Sequence, residues 1–436
     1  MKNARAALFA AIAAMSPIGA HAELTDVEKQ IVAIVDANAD EALTFLGEAV
    51  SINSGTMNHD GVKAVGDLFG QAFRDIGLQT EWIDQREKTD RAGHLIARQA
   101  GDRGNRVLLI GHLDTVFPKD SDFQSFSIEG DRAIGPGVSD MKGGDVVVLF
   151  ALKALREAGV LDGAAIEVVF TGDEEKTGKP ISEARNALIE AAGRADVALN
   201  FEGGERGAAV TGRRGSSSWI LKTSGERRHS SGVFSEWVGA GAAFEMARIL
   251  NEFYEELSDE EYLTFNPGVV VAGTDVKYDE AQNRGASSGK TNVVAQTAIV
   301  HGDLRFITEE QKQKARARMR KIVDKHLPKT GAEIEFVDSY PAMTPNDANA
   351  KLLGVLSEVS VDLGGEALAA NDPGRRGAAD ISFAAPISGA SLDGLGVYGS
   401  GAHGPNEDME IPSLALATRR AAILIYRLTR EDAQAF

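Results

Sequence analysis

Three apolar runs in the first half of the chain end the same way, and this repetition limits the fold more than any other feature. "RVLLIGHLDTVF" (106–117) runs into His112 and Asp114, "AAIEVVF" runs into "TGDEEKTG" (171–178), and "ADVALNFE" (195–202) closes on Glu202. Between them lie segments with apolar residues at helical spacing, "GGDVVVLFALKALREAG" (143–159), closed by Gly159, and "ISEARNALIEAAG". Buried strands alternating with amphipathic helices predict βαβ units around a mainly parallel sheet. In such a sheet the carboxyl ends of the strands line one crevice. The His, Asp and Glu residues at those ends then face the same space.

That convergence asks for a cation. Asp173, Glu174 and Glu175 stand side by side, and Asp140 lies in "GPGVSDMKGG" between a Gly/Pro loop and a helix start. A solvated turn could carry three adjacent acids, but carboxylates gathered in a crevice are costly to bury uncompensated. Carboxylate oxygens and neutral imidazole are good zinc ligands, so metal binding relieves the conflict. The chain has no cysteine, which excludes thiolate ligands and cysteine nucleophiles. The spacing His112-x-Asp114 puts both side chains on one side of a strand, where Asp114 could accept the hydrogen bond from the far nitrogen of His112 and orient the ring. Of the adjacent Glu174 and Glu175, one can ligate metal while the other acts as a base.

The chain's 436 residues exceed what one compact core usually holds. After "GRRG" (212–215) the pattern changes. "SSSWILKTSG" alternates like a half-exposed strand, and "SEWVGAGAAFEMARILNEFYEEL" (235–257) reads as a long amphipathic helix. "TNVVAQTAIVHGDLRF" (291–306) reads as a strand, "EEQKQKARARMRKIVDKHL" as a charged helix, and "AEIEFVDSY" as a strand. This predicts a small α+β domain over 213–340, inserted between the two parts, 23–212 and 341–436, of the α/β domain. The first 22 residues, "MKNARAALFAAIAAMSPIGAHA", have a charged start, a short apolar middle and a small-x-small end. They read as a secretory signal cleaved before Glu23, which predicts export, with the periplasm as the destination.

"GHLDTV", "GPGVSDMKGG", "TGDEE", the Glu in "NFEGGE" and the late His in "GAHGPNE" resemble the dizinc exopeptidases and aminoacylases, most of all their glutamate carboxypeptidase branch. The resemblance covers nearly the whole chain after residue 22. It implies a zinc-exopeptidase-like α/β catalytic domain with an inserted ferredoxin-like lid and dimerisation domain. It also implies two Zn2+ per subunit. Asp140 would bridge the ions, His112 and Glu202 would complete one site, and Glu175 and His403 the other. Glu174 matches the catalytic base. His229 in "SGERRHSSG" would reach the active site of a partner subunit in a homodimer, and Asn292 and Arg305 match lid positions that bind the substrate carboxylate. The implied activity is hydrolysis of the amide that joins an acyl group to a C-terminal amino acid, glutamate first, with deacylation of other N-acyl amino acids as the alternative. In "RGAAD" (376–380) this chain keeps Asp380 but lacks the hydroxyls usual in that segment.

Other readings are weaker. Glu205, three residues after Glu202, is the alternative ligand there. His59, His94, His301 and His326 read as structural histidines. "GASSGKT" (285–291) has three residues between its glycines, not the four of a phosphate-binding loop, and reads as a mobile loop. No Gly-x-Ser-x-Gly element supports a serine hydrolase. A zinc-binding protein without catalysis would have no need of Glu174. The net charge of −18 argues against nucleic acid or an anionic membrane as partner, and no segment past residue 22 is apolar enough to span a bilayer.

Overall fold

The structure, a computed structural model, describes residues 23–280 and 282–436; the expected signal segment lies outside them. The main sheet is built from β1 (Gln79–Asp84), β2 (Gly93–Gln99), β3 (Gly101–His112), β4 (Gly163–Thr171), β5 (Val197–Asn200) and a late strand, Ala390–Leu392. Its order is β1-β2-β4-β3-β5 followed by that late strand. The pairings β3–β4, β3–β5 and β5 with Ala390–Leu392 are parallel, and β1–β2 and β2–β4 are antiparallel.

Successive strand residues point to opposite faces, and β3 serves two cores in this way. Val107 and Leu109 join the larger cluster, with helices α1 (His59–Asp75) and α2 (Lys142–Glu157) and the final helix Ile411–Leu428. Leu108 and Ile110 face the other way, against Leu188, Ile381 and Phe383. A strand buried on both faces is apolar throughout, as "VLLIG" (107–111) is. Each fully buried Leu, Val or Phe contributes about 1.5–3 kcal/mol. Phe69 of α1 meets Phe170 of β4 edge-on, with ring centroids 5.5 Å apart.

The inserted segment has its own sheet and core. Its elements are β6 (Gly215–Gly225), α3 (Ala242–Leu257), β7 (Thr264–Gly273), a hairpin of β8 (Asp275–Asp279) and β9 (Arg284–Ser288), β10 (Thr297–Phe306), α4 (Glu309–Val323) and β11 (Thr330–Asp338). The sheet is antiparallel in the order β7-β10-β6-β11, the ferredoxin-like arrangement. Trp219, Ile249, Phe253, Val300 and Met319 form the core between sheet and helices.

Four local expectations are corrected. The helix expected from 235 starts at Ala242, because Gly239 and Gly241 adopt φ of 72° and 82°, outside any right-handed helix. The segment "ISEARNALIEAAG" divides into Ile181–Ala184 and Asn186–Ala192, with Arg185 recruited to an ion pair at the break. The strand expected from 291 begins at Thr297. Residues 285–288, expected as a mobile loop, pair with β8 in the hairpin.

Candidate metal centre

Because β3, β4 and β5 run parallel, their carboxyl ends coincide. His112 pairs with Thr171 and Ile110 with Asn200, so the chain leaves all three strands at one level. His112 ends β3, Glu174 and Glu175 follow β4, and Glu202 follows β5. Asp140 comes from the loop just before α2. Gly144 permits the close approach of that helix, since a Cβ there would lie 1.9 Å from the Phe201 carbonyl oxygen.

Two sets of ligand atoms result, His112–Asp140–Glu202 and Asp140–Glu175–His403, with the atoms of each within 4.8 Å of one another. The two Asp140 oxygens face different sets. Oδ1 is 3.3 Å from His112 Nε2, and Oδ2 is 3.0 Å from His403 Nε2. Glu202 Oε1 is 3.7 Å from His112 Nε2, and Glu175 Oε2 is 3.2 Å from His403 Nε2. His112 Nε2 and Glu175 Oε1 are buried without a hydrogen-bond partner. Unpartnered imidazole nitrogen and carboxylate oxygen facing shared space, with no thiolate, form a donor set that fits two divalent cations. Glu205 lies outside both sets and near Arg375 and Arg376 instead, so Glu202 is the residue in position. His403 adopts φ of 64°, an uncommon conformation for a residue with a Cβ.

Without cations the cluster is electrostatically frustrated. Burial pushes Glu174 well above the ordinary carboxylate range, Glu175 up to about 8 and Glu202 up to about 7, with neighbouring acids adding to the effect. The hydrogen bond to Asp140 raises His403 to about 9. Burial alone would depress His112, but the carboxylates of Asp114, Asp140, Glu202 and Glu174 outweigh it and hold the ring well above its usual value. Burial likewise opposes ionisation of Asp140, yet its hydrogen bonds to His112 and His403 leave it below the ordinary range. Cations entering here must displace protons.

Asp114 does more than the expected support of His112. His112 Nδ1 donates to the backbone carbonyl of Asp114 at 3.0 Å, while the nearest carboxylate oxygen is 3.5 Å away. The carboxylate accepts from the Thr56 hydroxyl at 2.6 Å and from the backbone N–H groups of Glu174 and Glu175 at 3.0 and 3.2 Å. Strand pleating places side chains on a side, but the turn after His112 brings the peptide carbonyl nearer the ring. Asp114 therefore fixes the backbone of the Glu pair directly.

The three adjacent acids have three fates. Asp173 pairs with buried Arg185 at 2.5 Å, and Arg185 also reaches Asp380 at 2.8 Å. Asp380 accepts from the Thr171 hydroxyl as well, so it braces the end of β4. Glu175 belongs to a ligand set. Glu174 stands beside both sets, and its carboxylate makes no hydrogen bond or ion pair with the described residues.

Sequence reasoning passed over Arg185, Glu407 and Tyr340. Arg185 occupies the apolar stripe of Ile181 and Leu188, which was a readable signal. Glu407, in the quoted "GAHGPNE", accepts from the backbone N–H groups of Gly137, Ser139 and Asp140 and so holds the loop that presents Asp140. Tyr340 donates to the Glu174 carbonyl at 3.2 Å, and no local pattern marks it. His94 is structural, with Nε2 donating to the Ala184 carbonyl at 2.9 Å. His301 stacks on Tyr278, and His326 lies 3.4 Å from Glu245.

His229, Asn292 and Arg305 sit in the inserted domain, apart from this cluster. His229 is exposed, its Nε2 3.5 Å from Asn292 Nδ2, and Arg305 Nε donates to Asp303 at 2.9 Å. Among the described residues, no hydrogen bond or ion pair joins these three to the metal centre.

Residues 108–427 match the sequence profile of peptidase family M20/M25/M40. The chain belongs to this family. It is thus a metallopeptidase-family hydrolase whose family includes both peptidases and acyl amino-acid hydrolases. Carboxypeptidase G2 of Pseudomonas sp. (strain RS-16) is 26% identical over 393 residues, covering 88% of each chain. A succinyl-diaminopimelate desuccinylase of Psychrobacter sp. (strain PRwf-1) is 26% identical over 330 residues, 72% of this chain and 77% of its own. Aminopeptidase PepT of Bacillus cereus superposes with a TM-score of 0.71 at 18% identity, covering 89% of this chain and 98% of its own. A dinuclear metal-binding M20 peptidase of Bacillus subtilis gives 0.64 at 13%, covering 90% and 99%.

Proposed function

We propose that this member of the M20 family is an exported, zinc-dependent amide hydrolase that releases a C-terminal amino acid, glutamate foremost, from an acyl or peptidyl group. The observation that carries the reading is an unpartnered carboxylate, Glu174, beside two ligand sets that share Asp140. Bound there, two zinc ions would supply Lewis-acid polarisation of the scissile carbonyl and acidify water. Glu174 takes a proton from the attacking water and passes it to the leaving nitrogen as the C–N bond breaks, a role worth roughly 10²–10⁴-fold. Asp114 and Tyr340 keep its backbone in place.

The lid supplies substrate recognition in this reading. Arg305 presents a planar fork suited to the released amino acid's α-carboxylate, and Asn292 adds an amide donor. His229 acts on the oxyanion in the site of a second subunit. Support for a homodimer comes from Phe234, Trp237, Phe244 and Tyr254, which the inserted domain leaves 68, 62, 54 and 67% exposed, with the rings of Phe234 and Phe244 in contact. Among the described residues, no helix is long and apolar enough to cross a membrane. Glutamate as the released residue is supported by the similarity to carboxypeptidase G2, and deacylation of other N-acyl amino acids by the similarity to the desuccinylases. The test compares a free-acid N-acyl-glutamate with its C-terminal amide. The zinc-loaded wild type should strongly prefer the acid, and Arg305→Ala should erase most of that preference. Equal hydrolysis of acid and amide by the wild type would refute carboxylate recognition.

A further inference from the structure

A cavity of about 720 Å³ opens beside the metal centre, with Glu175 in its wall and Met57, His59, Arg86, Lys119 and Lys176 around it. Its volume is that of a site for a ligand of some tens of atoms. The lining comes entirely from outside the inserted domain, so this space is separate from the lid residues assigned to the α-carboxylate. The walls are tied to the centre itself. Thr56 donates to Asp114, its N–H bonds to the Thr115 carbonyl at 3.1 Å, and the Thr115 N–H bonds to the Ser54 carbonyl at 3.0 Å.

The charge of the lining runs against that of the chain. In a protein of net charge −18, this cavity gathers Arg86, Lys119 and Lys176 against Asp60 and Glu175. Arg86 is paired with Asp60 at 2.9 Å, and Glu175 is directed to His403. The ammonium groups of Lys119 and Lys176 make no ion pair or hydrogen bond with the described residues. They come from different segments, one after β3 and one after the Glu pair, yet line the same space. His59 lines it too, and its Nε2 has no hydrogen-bond partner.

We propose that this cavity holds the acyl half of the substrate and selects acyl groups that carry a distal carboxylate, with Lys119 and Lys176 as its counter-charges. The proposal rests on the amide-hydrolase reading and adds the chemistry of the acyl side. A dicarboxylic half-amide, or a peptide with an acidic residue before the scissile bond, is the class that fits.

The experiment measures kcat/KM of the zinc-loaded enzyme for N-succinyl-glutamate and N-butanoyl-glutamate, which match in acyl length and leaving residue. Two partly solvated ionic contacts should favour the succinyl compound by roughly three- to tenfold, and the preference should shrink as salt screens the charges. In the Lys119→Gln/Lys176→Gln double variant the ratio should fall to about one. Lys119→Glu/Lys176→Glu should reverse it and favour N-(4-aminobutanoyl)-glutamate over the succinyl compound, a gain that misfolding cannot mimic. Equal rates in the wild type, or a succinyl preference that survives both double variants, overturns the subsite alone. A charge preference that follows the released amino acid's side chain overturns its placement on the acyl side. Hydrolysis of neither compound, with other N-acyl amino acids also resistant, overturns the amide-hydrolase reading and the proposal with it.

Discussion

Glu407 touches neither ligand set's histidine, yet its replacement should weaken metal binding at both sites. It is 1% exposed. Oε1 accepts from Ser139 N, Ser139 Oγ and Asp140 N at 2.9, 3.1 and 3.0 Å, and Oε2 accepts from Gly137 N at 3.0 Å. In Glu407→Gln the amide oxygen can keep the first three donors. The amide nitrogen must then face the Gly137 N–H, donor against donor. One buried hydrogen bond is lost and two donors are opposed, which costs about 1–3 kcal/mol. Glu407→Ala strands three backbone donors, for about 3–5 kcal/mol after some water entry. Because Asp140 offers an oxygen to each set, a shift of its loop disturbs both. Loss of such a support typically lowers metal affinity about 10–100-fold. Zinc affinity measured by competition with a chromogenic chelator should fall by that factor in Glu407→Gln, and thermal unfolding of the metal-free variant should drop by a few degrees. An affinity within twofold of wild type at unchanged melting temperature would refute the bracing role.

Arg185→Met should leave Asp173 and Asp380 buried without their cation and destabilise the protein by about 3–5 kcal/mol in denaturant titration; a loss under 1 kcal/mol would mean the brace is dispensable. Burial depresses the pKa of His94, so the folded state resists its protonation. Its contribution to stability is complete above the unfolded value of about 6.5 and is lost as pH falls below it. His94→Gln should flatten the pH dependence of unfolding free energy between about pH 6.5 and 5 by up to about 1.4 kcal/mol per unit, and an unchanged slope would contradict this. Mixing inactive Glu174→Ala with inactive His229→Ala should regenerate activity, since one site of each heterodimer holds both intact residues; no recovery after demonstrated subunit exchange would count against action of His229 across subunits.

What could be read from sequence divides along a physical line. Strand ends and the acids at them were legible because buried strands are apolar throughout and their termini are marked by an abrupt change to charge. Asp140 stood out because glycines and a proline surround it. The Glu202 or Glu205 choice needed three dimensions, since only the exit direction of β5 decides which carboxylate turns toward His112. β7 went unread as a strand because Pro267 and Gly268 interrupt it, and its pairing with β10 shifts register there. Glu407 and Arg185 act through partners 267 and 195 residues away, at Asp140 and Asp380; the apolar stripe around Arg185 marked it as unusual, but no local pattern named either partner. Asp114 was recognised as a supporting residue beside His112, but its bonds to Thr56 and the Glu pair were not foreseen, because strand geometry does not extend through the turn that follows.

The central claim is a division of labour: Asp140 belongs to both ligand sets, and Glu174 belongs to neither. Metal content per chain, measured by elemental analysis on zinc-loaded wild type, Glu174→Gln and Asp140→Ala, tests it most directly. Wild type and Glu174→Gln should each hold two zinc ions, with turnover in the latter reduced roughly 10²–10⁴-fold. Asp140→Ala should lose zinc from both sites. Metal loss in Glu174→Gln as complete as in Asp140→Ala would contradict the account.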